Sequence, residues 1–287
     1  MESVAPSVLV VGTHLRWSGV WQRPQHILSR LALRVPVVVV EEPVPAAADG
    51  HDVHQVGPVT VIRPLRTVAS YFDPVDVALV ATVRAVVAGR ASLLWLYTPM
   101  MLDLADAFPG APLVYDCMDD LASFAAAPPR MRERETALIE RACIMFVGGA
   151  SLFRAKAARA RASRLYPSGV DAAFFARARV IAAHPVMAAL RPPRLTYTGV
   201  IDERIDYALI DLLAGAGMHV IMVGPITKID RAVLPRRSNV HFTGQLPFDA
   251  LPAILAGSEV GLLPFALNES TRSISPTKTL EYLAAGI

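Results

Sequence analysis

Short runs of branched aliphatic residues, each followed by a stretch of helical composition, recur along this chain and constrain its fold most. Residues 7–12 (SVLVVG) and 35–42 (VPVVVVEE) are the clearest runs, with weaker ones at 59–64, 92–97, 113–116 and 144–148. They read as near-continuous apolar strands, the pattern of strands buried on both faces. Helical composition fills 24–33, 74–88, 130–142 and 151–164 between them. After a Pro/Ala/Arg-rich segment at 176–193 the alternation restarts. Strands are expected at 194–199, 219–224, 239–243 and 260–264, with helices at 206–214 and 248–256 and a last helix starting near Thr277. Strands alternating with helices predict an α/β chain of two doubly wound parallel sheets, each covered on both faces. The boundaries are 1–175 for the first domain, 176–193 for a hinge and 194–287 for the second domain. Two such domains facing one another would place ligands in the cleft, at the carboxyl ends of their strands.

Length and composition agree. The 287 residues suit two domains, and 53% hydrophobic content excludes global disorder. Net charge is only +3, and lysine occurs only at Lys156, Lys228 and Lys278, so nothing points to nucleic acid. The basic stretch 154–164 (RAKAARARASR) could face phosphates or anionic lipid, or form a solvated helix face. Cys117 and Cys143 lack metal-ligand spacing and fit a reducing compartment. The first residues lack the basic start of a signal peptide, and no apolar run reaches spanning length. The expected place is the cytoplasm, with peripheral contact at the inner face of the plasma membrane left open. No GxxxxGK[ST], HExxH or Cys/His array occurs, and Gly215-Ala216-Gly217 reads as a turn.

The final stretch, 276–287 (PTKTLEYLAAGI), carries the clearest chemical signal. Pro276 suits the first turn of a helix, and Gly286 is where that helix should stop. Lys278 and Glu281 are three apart near the helix N-terminus, where free N–H groups and a partial positive charge favour phosphate. The pair could hold a diphosphate and a ribose, or be an exposed ion pair on an ordinary helix.

The order of segments around it resembles the nucleotide-binding half of retaining glycosyltransferases of the GT-B fold, family-four type. The segments are 239–247 (NVHFTGQLP), 251–255 (LPAIL), 259–265 (EVGLLPF) and the final EYLAAG. Residues 21–26 (WQRPQH) and 115–120 (YDCMDD) resemble signatures of a bacterial subgroup linked to cell-wall or capsule polysaccharide. Residues 165–171 (LYPSGVD) resemble the turn that closes that family's first domain. The resemblance implies transfer of a hexose from a nucleotide-diphosphate sugar to a glycan or lipid-linked acceptor, with retention of configuration. It also implies no cofactor beyond the nucleotide sugar, a leaving diphosphate handled by protein charges rather than a metal, and no nucleic-acid partner. The implied donor-side residues are Gly199, Arg204, Gly224, Gly244, Ser275, Thr277, Lys278 and Glu281. Gln22 and Arg23 belong to the acceptor side, at a helix mouth. Asp116, Asp119 and His26 are the candidates for chemistry: carboxylates that bond sugar hydroxyls or take a proton, and a histidine that could equally be structural. At least one of the three carboxylates Asp116, Asp119 and Asp120 is expected only to cap a helix.

Two departures stand out. Val200 occupies the place of the family's phosphate-gripping Arg, leaving Arg204 as the nearby cation. Ser273 stands where the first of two paired glutamates is expected, with Glu269 and Arg272 nearby. These keep two rival readings open, a GT-B nucleotide-sugar epimerase and a catalytically degenerate nucleotide-binding domain. The second domain is expected to be incomplete, since residue 287 falls where a further strand should begin.

Overall fold

The computed structural model describes residues 7–68, 75–90, 92–124, 127–268, 271, 274 and 276–287. The chain divides into two compact units, Met1–Pro167 and Ser168–Ile287. Pro167 and Ser168 lie inside the turn expected to close the first domain.

In the first unit, the strands are β1 Val8–Gly12, β2 Val37–Val40, β3 Val44–Pro45, β4 Gly50–Val56, β5 Val59–Arg66, β6 Ser92–Leu96, β7 Leu113–Cys117, β8 Ile144–Val147 and β9 Ser163–Leu165. They form one sheet in the order β3-β5-β2-β1-β6-β7-β8-β9, with β4 pairing β5. Every described pairing is parallel except the β4–β5 hairpin. The helices are α1 Arg23–Leu31, α2 Val77–Val87, α3 Asp103–Ala107, α4 Met131–Arg141 and α5 Ala150–Lys156.

The continuous valine runs are explained by burial on both faces. Side chains alternate along a strand, so β1 feeds two cores. Val8 and Val10 join Val38, Val40, Leu94 and Leu96 beneath Leu79 and Val83 of α2 and Leu138 of α4. Leu9 and Val11 join Val37, Val39 and Tyr97 beneath Leu28 of α1 and Trp17.

The second unit contains α6 Ala172–Ala176, α7 Pro185–Ala188, α8 Tyr207–Gly215, α9 Leu251–Ala256 and α10 Thr277–Ala285. Its strands β10 Arg194–Thr198, β11 His219–Val223, β12 Val240–Gly244 and β13 Val260–Gly261 form a parallel sheet in the order β12-β11-β10-β13. Tyr197, Val220 and Met222 pack against Ile210 of α8 on one face. Ile221 and Val223 pack against Met187 of α7 and Ile254 of α9 on the other.

Several boundaries differ from the sequence expectation. The helix expected over 151–164 ends at Lys156; a short turn follows, and residues 163–165 become β9, with Met145 beside Ser163 in the ladder. Helix propensity of the Ala/Arg stretch yields there to pairing with a buried strand. The β4–β5 hairpin was not expected, because residues 50–56 (GHDVHQV) are polar and only partly buried. The segment 176–193, expected as a hinge, carries α7, and its Ala178 and Met187 are buried in the second unit's cores.

Candidate functional site

In each unit one strand separates segments that wind in opposite directions, and loops diverge at its carboxyl end to leave a crevice. β1 plays this part between β2 and β6, and β10 between β11 and β13. Several of the residues singled out in the sequence lie in the loops and helix starts at these strand ends.

In the second unit, Gly199, Gly224 and Gly244 stand side by side at the carboxyl ends of β10, β11 and β12. Gly199 N donates to Val223 O at 2.8 Å, and Gly224 N donates to Gly244 O at 2.9 Å. Gly199 and Gly224 have φ of +154° and +148°, values that disfavour other residues. A Cβ on Gly224 would lie 1.8 Å from Gly199 O, so the backbones meet closer than any side chain allows. A Cβ on Gly199 would lie 2.8 Å from Lys278 Cε. The Lys278 side chain therefore crosses directly over Gly199.

Lys278 lies in the first turn of α10. Pro276 precedes that helix as its cap residue rather than lying in its first turn, and no side chain caps the helix. Gly286 ends it with φ +92°, as its sequence suggested. Glu281 is only 8% exposed. Among the described residues, neither the Lys278 ammonium nor the Glu281 carboxylate has a hydrogen bond or ion pair. The Glu281 carboxylate is thus an acceptor open to hydroxyl or N–H groups. Thr277 opens the helix, whereas Ser275, together with Glu269, Arg272 and Ser273, lies outside the described residues.

Arg204 pairs with a carboxylate in its own loop. Its Nε lies 2.9 Å from Asp202 Oδ1 and its Nη2 2.7 Å from Asp202 Oδ2. Its backbone N–H donates to the same carboxylate at 3.1 Å. Asp202 is buried. The guanidinium is committed to shaping the loop after Gly199.

In the first unit, the hexapeptide 21–26 builds the start of α1. The Gln22 N–H donates to Gln25 Oε1 at 3.1 Å, the reciprocal arm of a capping box. Gln25 Nε2 donates to Arg16 O at 3.2 Å, tying down the β1–α1 loop. Trp21 and His26, flanking the first turn as a staple does, meet with ring centroids 5.3 Å apart. Arg23 Nε donates to Asp116 Oδ1 at 3.0 Å, and its Nη1 donates to Tyr166 O at 2.6 Å.

Asp116 has no exposed surface. Burial pushes its carboxyl above the usual carboxylate range while Arg23 opposes the shift. The pair is a strut from α1 to β7. Asp119 and His26 are half-buried. Cys117 is buried with its thiol pushed up to about 12, which keeps it protonated and inert.

A second buried network was not foreseen. Lys156 Nζ donates to Glu135 Oε1 at 2.7 Å and to Asp120 Oδ1 at 2.9 Å, and Tyr115 Oη donates to Glu135 Oε1 at 2.7 Å. Burial works against the Lys156 ammonium, yet the charge of Glu135 and the hydrogen bonds to Glu135 and Asp120 oppose it, and its pKa sits above the ordinary value. So one lysine of the basic stretch 154–164 is interior. The arginines of the stretch, Arg154, Arg159, Arg161 and Arg164, are exposed, and Arg159 donates to Thr136 Oγ1 at 2.7 Å. Among the described residues no three His, Cys, Asp or Glu side chains are grouped to hold a metal ion. No helix there is long and apolar enough to cross a membrane.

No family model and no curated protein matches the sequence. The fold, however, is shared with solved structures. Sucrose-phosphate synthase from Thermosynechococcus elongatus superposes with a TM-score of 0.67 at 16% identity, over 98% of this chain and 79% of that one. HepE of Anabaena, solved with UDP and glucose, gives 0.63 at 16% identity, over 98% and 79%. A UDP-forming α,α-trehalose-phosphate synthase from Burkholderia vietnamiensis gives 0.60 at 17% identity, over 99% and 82%. The chain therefore has the GT-B fold, two doubly wound α/β units.

Proposed function

We propose that this protein is a glycosyltransferase that takes a sugar from a nucleotide-diphosphate donor bound at the carboxyl end of β10. The observation that carries the reading is the unpartnered Lys278 and Glu281 on the first turns of α10, with Lys278 lying over Gly199. Lys278 and the uncapped N–H groups at Thr277 would stabilise the charge growing on the departing diphosphate. Glu281 would accept two ribose hydroxyl hydrogens. Gly199, Gly224 and Gly244 would let the donor approach the backbone closely. The kinship in fold with enzymes solved with UDP and sugars supports this choice of ligand.

On the acceptor side, Asp119, His26 and Gln22 are the candidates for contact with a glycan or lipid-linked acceptor. Arg23 and Asp116 hold the loops that shape this region. Retention of configuration rests on the family resemblance alone, and a place in cell-envelope polysaccharide synthesis on the sequence signatures at 21–26 and 115–120. A cytoplasmic place, with peripheral membrane contact left open, rests on the absence of signal-peptide and spanning features from the sequence. Arg204 enters as a loop-shaping residue, and Lys278 is the phosphate-binding cation.

The test is a screen of UDP-, GDP-, ADP- and dTDP-sugars for release of nucleoside diphosphate, with and without candidate acceptors. Acceptor-dependent release supports transfer. An epimerised sugar without acceptor would replace the reading by epimerisation, and binding without any turnover would replace it by a non-catalytic nucleotide-binding role.

A further inference from the structure

The strand β13 is only two residues long, and its departure from the sheet leaves a gap in the ladder. Leu262 N donates to Thr196 O at 2.7 Å as the last bond between β10 and the chain that follows β13. The next N–H of β10 on that side belongs to Thr198, two residues on. No strand carbonyl meets it. It donates instead to the hydroxyl of Tyr282, from α10, at 3.0 Å. The same hydroxyl lies 3.4 Å from Thr198 Oγ1. Tyr282 is 4% exposed, and its ring lies on Gly261, where a Cβ would come within 2.3 Å of Cδ2. The ring occupies space that only a glycine in β13 leaves open.

We infer that Tyr282 is a positioning residue for the donor site: its hydroxyl replaces the missing strand partner and so fixes the rotation and height of α10. Residues four apart lie on one helix face, about 6 Å apart along the axis. Lys278 and Tyr282 are such a pair, and they reach Gly199 and Thr198, adjacent residues of the same strand end. The helix is thus held to β10 at two successive points, one by a hydrogen bond and one by the lysine stem. Glu281, next to Tyr282, is set by the same anchor. This inference rests on the nucleotide-binding reading proposed above.

The test uses Tyr282→Phe, which keeps the ring and removes the hydroxyl, with Lys278→Ala and the double variant. Binding of uridine, adenosine and guanosine 5′-diphosphates is measured by calorimetry. Amide hydrogen exchange over 277–285 is followed without nucleotide. The expected results are faster exchange confined to α10 and affinity about three- to ten-fold weaker, the size of one neutral hydrogen bond. The double variant should lose less than the product of the two single losses, because a displaced Lys278 has less to lose. A merely structural tyrosine would lower the melting temperature without this non-additivity.

Gly261→Ala gives a route that keeps the Tyr282 hydroxyl group but moves it off Thr198, since the added methyl displaces the ring; it should reproduce the binding loss. Unchanged α10 exchange, or losses in the two single variants that multiply independently, would overturn the inference. A wild-type protein that binds none of the three diphosphates would instead overturn the nucleotide reading itself.

Discussion

The guanidinium of Arg23 and the carboxylate of Asp116 lie 3.0 Å apart inside the first unit, joining residues 93 positions apart. Their side chains are 7% and 0% exposed. One comes from the helix-start hexapeptide and the other from the carboxyl end of β7. The two sequence signatures of the first unit are therefore halves of one contact. Removing one partner leaves the other buried and unpaired, which costs about 3–5 kcal/mol, whereas replacing both by apolar groups is often near neutral. Arg23→Met and Asp116→Leu should each lower stability strongly, and the double variant should recover much of the loss. Denaturant unfolding of the four proteins checks this. Single variants that fold as well as the wild type would show that the pair is no strut and return Asp116 to the candidates for chemistry.

The Lys156 network should behave in the same way. Lys156→Met removes the cation bonded to Glu135 and leaves that carboxylate buried beside Tyr115. A loss of about 3–5 kcal/mol is expected. If Lys156 instead belonged to an exposed anion-binding face, the variant would bind anionic vesicles less well and unfold at the same denaturant concentration.

A pH dependence follows from the second unit's histidine pair. His219 Nδ1 and His241 Nε2 lie 3.0 Å apart on neighbouring strands. Burial first, and His219 second, hold His241 below its ordinary value of 6.5. In the unfolded chain His241 takes a proton near that ordinary value, while in the folded chain it resists. Folding stability is therefore full above 6.5 and falls as the pH drops toward the lowered folded value. Unfolding midpoints measured from about pH 7.5 down to about pH 5 should show this decline, and His241→Asn should flatten it. His51, also lowered by burial, leaves a residual slope from the first unit. A wild-type decline that persists undiminished in His241→Asn would remove the pair as its source.

Much of this architecture is legible in the sequence because parallel strands buried on both faces are written as unbroken apolar runs. Residues 35–42 and 7–12 leave little choice. What stays hidden is β4, a polar and only partly buried strand that lacks that signature, and β9, where pairing overrides an Ala/Arg helix pattern. The donor site is partly legible. Lys278, Glu281 and the terminal glycine stand close together in sequence, and helix spacing relates them. Tyr282, four residues after Lys278, carried the same signal and went unread, since its partner Thr198 is 84 positions away. The pairing of Arg204 with Asp202 was not legible either, because charge near a site says nothing about a buried partner.

The central claim is that α10 presents Lys278 and Glu281 to a nucleoside diphosphate. Calorimetric titration of the wild type, Lys278→Ala and Glu281→Gln with uridine, adenosine and guanosine 5′-diphosphates and their 2′,3′-dideoxy analogues tests it most directly. The account expects the wild type to bind at least one. Lys278→Ala should lose about 1.5–3 kcal/mol, the worth of a charge-assisted hydrogen bond, against both the natural and the dideoxy nucleotide. Glu281→Gln should weaken the natural nucleotide and leave the dideoxy analogue nearly unaffected, since that analogue offers no ribose hydroxyls. Equal affinity of wild type and Lys278→Ala, with thermal midpoints unchanged, would contradict the account.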